Sequence, residues 1–434
     1  MTVHTRPRGP RTLAARAAAA DQAGAELREQ IDGGAVRGVT LLVPDPHARF
    51  ASVSVGARFF ADTVLDEGYG LCTYAFAWNP AREAVEAPVF APYTTTYGDL
   101  RLRPDLATLA QDTDGGWFVV CDAEWPDGRA VGIAPRTVLR RQLAAAEARG
   151  LVPSVGLEHE VTFTWQDGTS PTPHGLDYAT GGLDQLRPLL DSIRFAVDGL
   201  GVESVRGECH PGQAELVLGH RDALAACDDA MLQQLFVRRT AAVHGMRASY
   251  LAAERPGEGS SCHVHISLSN ADGPRFPALL EHFVAGVMRA APDLTPFWAP
   301  TWNSYVRLRT APFSPRLLRW GTDDRTAAVR VAGSGGSTRA EVRFAGADAQ
   351  PHLVVAAILA AGLWGIDGEL TPPEPAELPT TPWAARQALA ESKLARELLG
   401  GEVVDAQLAH LDEEIEAGLN AVNDWQRNRG NLRS

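Results

Sequence analysis

The sequence lacks any apolar run long enough to cross a bilayer. No stretch approaches the roughly 18 consecutive apolar residues that a membrane helix requires, so we expect no membrane partner. Hydrophobic residues make up 45% and charged residues 21% of the 434 positions, which is ordinary for a globular protein. A chain of this length can form two or three domains, each with its own core.

Positive charge and cysteine are also scarce. The formal net charge of −13 and the pI near 5.4 argue against a nucleic-acid partner, although local arginine clusters can still bind anionic ligands. The five cysteines are scattered and form no C-x-x-C pair, which predicts reduced thiols. The Arg- and Ala-rich N-terminus has no apolar segment typical of a secretion signal. Together these features predict a cytoplasmic protein.

Strand patterns and helix patterns occupy different parts of the chain. Residues 36–121 are strand-like, with Pro- and Gly-rich connections, whereas Pro135 opens an amphipathic helix that Gly150 stops. Helical periodicity then recurs at 182–199, 221–249, 276–291, 352–366 and 405–427. We predict an α+β protein with an N-terminal tail and first helix (1–24), a small mostly-β domain (25–125) and a large α+β domain (126–434).

One predicted strand carries two neighbouring carboxylates on a single face. The stretch "GLEHEVTF" (156–163) alternates with a period of two, so Leu157 and His159 share one face while Glu158 and Glu160 share the other. Like charges at adjacent positions repel each other. The placement therefore calls for a physical explanation.

Three further segments have the same division into an apolar face and a polar face. They are "SSCHVHISL" (260–268) with His263, His265 and Ser267 on one face, "TRAEVRF" (338–344) with Arg339, Glu341 and Arg343, and "GECHPGQAELVL" (207–218) with Glu208 and Glu215 on either side of a Pro-Gly turn. Each is typical of a sheet whose back packs in a core and whose front lines a cavity.

Each pattern also has a plainer explanation. A glutamate pair at i and i+2 is typical of a solvated strand face, two histidines can be hydrogen-bonded polar residues, and an Arg-Glu-Arg series can be an exposed ion-pair row worth about 0–1 kcal/mol per pair. The recurrence favours a metal site, because buried carboxylates without cations are costly. The candidate ligands form an oxygen-rich set with one imidazole that suits Mg²⁺ or Mn²⁺: Glu158, Glu160, Glu208, Glu215, Glu341 and His263.

Five arginines form a second group of candidate site residues. They are Arg307, Arg325, Arg330, Arg339 and Arg343, most of them in strand-like context. Planar guanidinium groups bind carboxylates and phosphates through two parallel hydrogen bonds. Divalent metals facing arginines suit phosphoryl transfer to a carboxylate substrate. No Walker A motif is present, which excludes a P-loop enzyme.

The ordered set of motifs resembles the glutamine synthetase family. The blocks "GLEHE", "GECHPGQAE", "GSSCHVHISL", "NSYVRL", "DDRTAAVRV" and "RAEVRF…DAQPHL" look like that family's successive signatures, from about Asp122 to Leu363, with weaker similarity in "GDLRLRPDL". Each block alone is weakly diagnostic. Together, and in this order, they are highly specific.

The resemblance implies a role for each candidate residue. Glu160, Glu208 and Glu215 match ligands of the metal near the acceptor, and Glu158, His263 and Glu341 match ligands of the metal at the nucleotide phosphates. His265, Ser267 and Arg339 match nucleotide-binding positions. Arg307 and Arg343 match arginines that bind glutamate, and Arg325 and Arg330 match those that stabilise the transferring phosphate. Glu160 and Glu215 are counted with Arg325 and Arg330 among the catalytic residues.

The resemblance also implies a fold, a reaction and an assembly. The implied fold is an N-terminal β-grasp domain followed by a catalytic domain with a curved antiparallel sheet flanked by helices. The implied reaction uses ATP and two or three Mg²⁺ or Mn²⁺ ions to convert glutamate to γ-glutamyl phosphate, which an amine then converts to an amide. The implied assembly is a homo-oligomer of stacked rings, a dodecamer, in which a neighbouring subunit completes each site.

Two departures from the ammonia-using enzymes predict a different acceptor. Their loop after N-S-Y-x-R carries a glutamate that closes the site and helps deprotonate ammonium, but "RTAPFSP" has Phe313 there. Their D-G-S-S loop is replaced by the aromatic stretch "EGYGLCTYAFAWNP", in which Tyr74, Phe76 and Trp78 either extend an amine pocket or belong to the core of the small domain. A phenyl ring offers an apolar or cation–π surface. We therefore predict an organic amine as acceptor.

Other functions remain open on the sequence alone. An ammonia-using glutamine synthetase would share the metal and arginine sets. A non-catalytic relative would be expected to lose metal ligands, and all six matched positions are occupied. The same six-ligand set argues against a guanidino phosphotransferase with a related domain. The residues do not choose among polyamines, ethanolamine, short alkylamines and anilines.

Overall fold

The computed structural model describes residues 13–111, 115–276 and 278–433. The beginning of the predicted N-terminal tail therefore lies outside the described residues. The described chain forms a six-stranded sheet near the N-terminus and a ten-stranded sheet in the remainder. Helices pack mainly against the larger sheet, and this mixture confirms the predicted α+β class.

The strands are numbered in chain order. The first sheet contains β1 (Gly38–Pro44), β2 (Phe50–Gly56), β3 (Tyr69–Cys72), β4 (Asp99–Pro104), β5 (Ala110–Gln111) and β6 (Trp117–Glu124). The second contains β7 (Val152–Trp165), β8 (Val202–Gly207), β9 (Gln213–Leu218), β10 (Arg221–Asp222), β11 (Met246–Ser249), β14 (Cys262–Asn270), β15 (Gly273–Pro274), β17 (Trp320–Thr322), β18 (Val329–Ala332) and β19 (Arg339–Val342). Two small pairs are β12 (Ala253–Arg255) with β13 (Glu258–Gly259), and β16 (Leu317–Leu318) with β20 (Ala376–Glu377).

The helices are numbered in the same way. They are α1 (Leu13–Asp32), α2 (Ala57–Phe59), α3 (Leu65–Glu67), α4 (Ala91–Thr94), α5 (Pro135–Glu147), α6 (Thr180–Ala196), α7 (Ala223–Val243), α8 (Leu280–Ala290), α9 (Thr295–Trp298), α10 (Trp302–Thr310), α11 (Pro351–Asp367), α12 (Pro382–Glu391), α13 (Lys393–Leu399), α14 (Gly401–Asn420) and α15 (Asp424–Asn431). A π-helical turn (Phe60–Val64) joins α2 to α3, and 3₁₀ turns span Thr73–Phe76, Pro88–Phe90, Leu106–Thr108, Asp198–Leu200 and Gly335–Ser337.

The N-terminal sheet is mixed and has a helix packed on it. Its strand order is β2-β1-β6-β4-β3, with β5 beside β6. The β1–β6 pair is parallel and the other pairs are antiparallel. Leu27 and Ile31 of α1 are buried in the core of this sheet. A helix on a small mixed sheet is the arrangement that the implied β-grasp domain requires.

The larger sheet is almost entirely antiparallel and has two different faces. Its order is β17-β18-β19-β14-β7-β9-β8, and only the β17–β18 pair is parallel. On β7 the predicted alternation is present, since Leu157 and His159 are fully buried whereas Glu158 and Glu160 are partly exposed. The back of the sheet therefore lies in the core, and its front carries the polar side chains.

Helices α5, α7, α8 and α11 pack behind the larger sheet or against one another. Helix α11 is almost completely buried, which explains its apolar sequence. Helix α5 begins with Pro135 in its first turn, and Gly150 (φ +67°) follows its end in the left-handed conformation that glycine adopts without strain. The predicted helix between Pro135 and Gly150 is therefore present.

A buried ion cluster joins the N-terminal sheet to the helices behind the larger sheet. Arg136 of α5 is 2% exposed and contacts three carboxylates: Asp105 at 2.7 Å, Asp122 at 2.6 Å and Asp228 of α7 at 2.9 Å. Asp105 and Asp122 belong to the N-terminal region and Asp228 to the helical layer. In addition, Ala406 and Ala409 of α14 pack in the N-terminal core. The domain boundary near residue 125 stays a proposal. These contacts join residues on either side of it.

Within the described ranges, no helix combines the length and apolar character needed to cross a membrane. The five cysteines are free thiols, and three of them are buried.

Candidate active site

The front face of the larger sheet brings together side chains from four separate parts of the sequence. Strand register places His263 of β14 opposite Glu158 of β7 and His265 opposite Glu341 of β19. On the other side of β7, Glu160 lies opposite Glu215 of β9. Directly opposed residues share a face, so these side chains surround one concave surface.

Glu158, His263 and Glu341 form a compact group. One ligand atom from each lies within 4.8 Å of the other two. The Nδ1 atom of His263 is 3.5 Å from Oε2 of Glu158 and 3.8 Å from Oε1 of Glu341. Two carboxylates and one imidazole suit a hard divalent cation such as Mg²⁺ or Mn²⁺. The donor set therefore fits the metal that the sequence predicts at the nucleotide phosphates.

Both carboxylates of this group favour their ionised form. Burial of Glu158 opposes ionisation, but the neighbouring imidazoles of His263 and His265 outweigh burial and hold the pKa of the Glu158 carboxyl well below its usual range. Burial is likewise outweighed at Glu341 by His263, His265 and Arg343, which lower the pKa of its carboxyl. Metal ligands must be deprotonated, so these two residues are in the state that a cation needs.

The members of the second predicted metal group, Glu160, Glu208 and Glu215, lie farther apart. Glu208 follows β8, and Glu215 lies on β9. Arg206 of β8 contacts both, at 3.0 Å from Oε1 of Glu208 and 2.8 Å from Oε1 of Glu215. Glu160 accepts hydrogen bonds from the Ser261 amide (2.8 Å) and Nε2 of Gln213 (3.2 Å). These three carboxylates lie toward the β8–β9 side of the sheet but do not form one compact group among the described residues.

Burial changes the protonation of Glu208 and Glu215. Burial together with the charge of Glu160 raises the pKa of Glu208 to about 7. Burial together with the charge of Glu158 raises the pKa of Glu215 to about 8, although Arg206 opposes the change. A cation bound by these carboxylates would displace their protons. Glu208 and Glu215 therefore bind protons more readily than the two carboxylates of the compact group.

Two of the predicted arginines contact the compact group, and a third contacts the neighbouring His265. Arg330 donates from NH1 to Oε2 of Glu341 (2.7 Å) and from NH2 to Asp323 (2.6 Å). Arg343 donates to Oε1 of Glu341. Nε of Arg339 lies 3.1 Å from Nδ1 of His265. The guanidinium groups thus lie on one side of Glu341 and His265.

Of the other two predicted arginines, one is buried and one is exposed. Arg307 of α10 is buried and donates to the carbonyl oxygens of Phe344 (2.9 Å) and Arg343 (3.3 Å). Burial lowers the pKa of its guanidinium. Arg325 is exposed in the turn between β17 and β18, beside Asp323. Arg307 therefore braces the backbone beneath Arg343, whereas Arg325 lies at the rim.

A cavity of about 400 Å³ opens beside the compact group. The predicted nucleotide-binding residues His265, Ser267 and Arg339 all line it, together with Glu203 and His220. The backbone of β7 approaches closely here, because a Cβ atom on Gly156 would lie 2.8 Å from the His220 ring. The structure therefore gathers the predicted nucleotide residues around one cavity.

The predicted acceptor residues lie on loops. Phe313 follows α10 and is 67% exposed, so its ring is accessible. Phe76 and Trp78 are buried in the N-terminal core, and Tyr74 is partly buried against it, which favours the core alternative for the aromatic stretch. The rings of Phe76 and Trp78 pack in the small domain rather than lining a pocket.

Sequence reasoning missed several residues at the site. Arg206 has a signal in the sequence, because it lies near the end of strand β8 and precedes Glu208 by two positions. Asp323 and Gln213 bind predicted residues but have no distinctive pattern of their own. Glu203 and His220 line the cavity from near the ends of strands, where period-two alternation carries little information.

Comparison with known proteins gives a consistent result. The family profile described as "Glutamine synthetase, catalytic domain" matches residues 132–429. The γ-glutamylethanolamide synthetase of Streptomyces coelicolor is 35% identical and covers 93% of this chain and 94% of that protein. A glutamate–isopropylamine ligase from Pseudomonas sp. is 30% identical over 86% of this chain and 90% of that protein. Among solved structures, ligand-free GmaS superimposes with a TM-score of 0.81 at 25% identity, covering 93% and 98% of the two chains.

Proposed function

This chain belongs to the glutamine synthetase family, and we propose that it is an ATP-dependent carbon–nitrogen ligase that joins an organic amine to the γ-carboxylate of glutamate. The observation that carries the proposal is the compact group Glu158, His263 and Glu341 beside a cavity lined by His265, Ser267 and Arg339. The named activities of the two similar ligases, which form amides of ethanolamine and isopropylamine, support the choice of acceptor.

The proposed reaction has two steps. The γ-carboxylate of glutamate attacks the γ-phosphorus of ATP, which releases ADP and leaves γ-glutamyl phosphate. The amine nitrogen then attacks the acyl carbon, the bond to the phosphate oxygen breaks, and inorganic phosphate leaves as the nitrogen loses a proton. No protein nucleophile is needed, so catalysis rests on positioning and on stabilising charge.

Each residue contributes by binding or by charge. Divalent cations, when bound by Glu158, His263 and Glu341 and by Glu160, Glu208 and Glu215, supply charge neutralisation for the phosphates. His265, Ser267 and Arg339 bind the nucleotide in the cavity that they line. Arg330 and Arg325 stabilise the transferring phosphate. Arg343 binds the carboxylates of glutamate. Arg307, which the resemblance also assigned to glutamate, donates to the carbonyl oxygen of Arg343 and so positions that residue. We propose that each site binds two or three of these ions.

Phe313 favours an organic amine over ammonia. Ammonium is a small, strongly hydrated cation that needs oxygen ligands, whereas an exposed phenyl ring offers an apolar and cation–π surface. An alkylammonium ion can use both features of that surface. The acceptor loop therefore favours substituted amines.

We further propose a cytoplasmic homo-oligomer of stacked rings, a dodecamer. Support comes from the C-terminal segment, in which residues 421–433 are exposed along their whole length. Val422, Trp425 and Leu432 of this segment are between 64% and 87% exposed. Clustered exposed apolar side chains mark protein–protein contacts. The five free thiols agree with a reducing compartment.

A phosphate-release screen tests the proposal. The reaction would contain ATP, Mg²⁺, glutamate and either ammonium or one of a panel of amines. We expect release that depends on both glutamate and an organic amine. Ammonium as the best acceptor would identify an ammonia-using synthetase instead. Absence of release with every acceptor, together with absence of Mg²⁺–ATP binding in calorimetry, would identify a non-catalytic relative.

A further inference from the structure

A short segment that sequence reasoning passed over is fixed against the acceptor side of the site. It comprises residues 175–178, immediately before α6. The backbone amides of Leu176 and Asp177 donate to the carbonyl oxygen of Glu208, at 2.8 and 3.2 Å. Gly175 is needed for this approach, because a Cβ atom there would lie 1.8 Å from the Cys209 carbonyl oxygen. The segment therefore has a defined position beside a proposed metal ligand.

The side chain of Asp177 lies next to that ligand. Atoms of Asp177, Glu208 and Cys209 fall within 4.8 Å of one another. The Cys209 thiol donates to Oδ2 of Asp177 at 3.7 Å and lies 3.9 Å from Oε2 of Glu208. Asp177 is itself exposed. Its carboxylate is thus accessible to a molecule that approaches Glu208 from solvent.

Tyr178 and Arg206 hold the segment from the other side. The guanidinium carbon of Arg206 lies 5.1 Å from the centre of the Tyr178 ring, and Arg206 also donates to the tyrosine hydroxyl. Tyr178 has a left-handed backbone (φ +58°), which is uncommon for a residue other than glycine. Because Arg206 also contacts Glu208 and Glu215, one side chain links this segment to both proposed ligands.

An amine acceptor needs an anionic contact that the predicted residues do not provide. Most alkylamines are protonated in solution near neutral pH, so they arrive as cations. Phe313 carries no charge, and Glu160, Glu208 and Glu215 are assigned to metal. Asp177 is an exposed carboxylate beside Glu208 that has no assigned role. A carboxylate binds an ammonium group through charge-assisted hydrogen bonds.

We propose that Asp177 binds the ammonium group of the amine acceptor and thereby selects protonated primary alkylamines. This inference rests on the proposed function and adds a residue to its acceptor site. The Cys209 thiol orients the carboxylate by its hydrogen bond, and Arg206 keeps the segment against Glu208 through Tyr178. Asp177 is therefore a specificity-determining residue, and Cys209 and Tyr178 are positioning residues.

The test compares acceptors that differ in charge. In Asp177→Asn, kcat/KM for ethylamine or ethanolamine should fall about tenfold or more, because asparagine lacks the negative charge that strengthens the hydrogen bond to the ammonium group. The value for hydroxylamine, which is uncharged near neutral pH, should change by less than about twofold. KM for ATP and glutamate should stay unchanged, and Asp177→Glu should restore part of the activity. Equal losses for both classes of acceptor, or no loss for the alkylamines, would overturn the proposal.

A matched control and a binding measurement complete the test. Asp191→Asn removes an exposed carboxylate of α6 that pairs with Arg194 and should leave both acceptors unaffected. Titration of the protein with ethylammonium separates this proposal from the proposed ligase function, because it needs no turnover. Binding that is lost in Asp177→Asn supports the assignment even if no amine releases phosphate. Equal binding by both proteins, or binding by neither, contradicts it.

Discussion

Glu158 and His263 occupy directly opposed positions on β7 and β14, with Oε2 of Glu158 3.5 Å from Nδ1 of His263. Their opposition brings an ionised carboxylate and an imidazole to the same face of the sheet, and Glu341 completes the group from β19. Glu160, two positions after Glu158 on β7, lies opposite Glu215 of β9 instead. The two adjacent glutamates of one strand thus belong to separate groups of side chains, which explains how they avoid acting as a simple repulsive pair.

Metal should stabilise the protein through this group. We expect Mn²⁺ or Mg²⁺ to raise the thermal midpoint, since a ligand at about 100 times its dissociation constant contributes about 2.7 kcal/mol. Glu158→Gln removes one charged ligand and should abolish most of the shift measured by scanning fluorimetry. Glu147→Gln, at an exposed position of α5, serves as the control and should keep it. An unchanged shift in Glu158→Gln would show that the ion binds elsewhere.

Glu341 should be essential for turnover. Glu341→Ala removes a metal ligand and the partner of both Arg330 and Arg343, so we expect nucleotide-dependent phosphate release to fall at least a hundredfold, or about 2.7 kcal/mol of barrier. Circular dichroism and elution volume should show that the variant is folded. Glu377→Ala, an exposed change on β20, should retain activity. Turnover of Glu341→Ala within about tenfold of wild type is incompatible with the metal assignment.

Phe313 should control the choice between ammonia and organic amines. Phe313→Glu places a carboxylate on the exposed loop, so we expect the ratio of kcat/KM for ammonium to that for the best amine to rise about tenfold. Phe313→Leu keeps an apolar side chain and should leave the ratio nearly unchanged. The measurement is coupled phosphate release across a concentration series of each acceptor. A ratio that responds equally to both substitutions would assign the effect to loop packing.

Acid should destabilise the contact between α14 and the N-terminal domain. His410 is 7% exposed and lies with its ring centre 4.8 Å from that of His47 and 4.9 Å from that of Phe90. Burial, then the charge of His47, lowers the pKa of His410 well below the usual 6.5, and burial lowers the pKa of His47 despite Asp45. The unfolded chain therefore binds more protons, and stability is lost as pH falls below about 6.5.

The change His410→Phe tests this origin of acid sensitivity. The variant keeps a buried ring but removes one group that must stay neutral, so its thermal midpoint should fall less than that of wild type between neutral pH and pH of about 5. His174→Phe alters an exposed histidine and should not change the pH dependence. Both are measured at one protein concentration, because assembly also affects the midpoint. Parallel acid profiles for wild type and His410→Phe would refute the explanation.

The exposed C-terminal segment should be required for assembly. Deletion from residue 421 onward removes the exposed apolar residues of this segment, including Trp425 at 66% exposure, and leaves the buried part of α14 in place. We expect light scattering to show a smaller particle than that of the full chain. Replacing Asp424 with asparagine removes a surface charge that pairs with Arg427 but keeps the apolar residues, and should leave the mass unchanged. An unchanged mass after deletion would place the subunit contacts elsewhere.

The spacing of apolar residues correctly predicted helices and strands that have one buried face. It was less accurate about the residues at which those elements end. The helix predicted at 221–249 ends at Val243 and is followed by β11, because Gly245 (φ +71°) turns the chain. The helix predicted at 405–427 divides into α14 and α15 around Ala421–Asn423, where the Asn423 side chain caps the second helix. Helices α12 and α13 have short amphipathic patterns and were not among the predicted helices.

Residue identity and alternation alone determined which side chains share the front of the larger sheet, because the period of two is a local property of extended backbone. Family resemblance added the expected role of each. That resemblance already implied that Glu158, His263 and Glu341 meet, whereas only the tertiary structure decided that Glu208 lies with Asp177 and Cys209. Strand register and loop packing depend on contacts between distant parts of the chain, and no local pattern encodes those contacts.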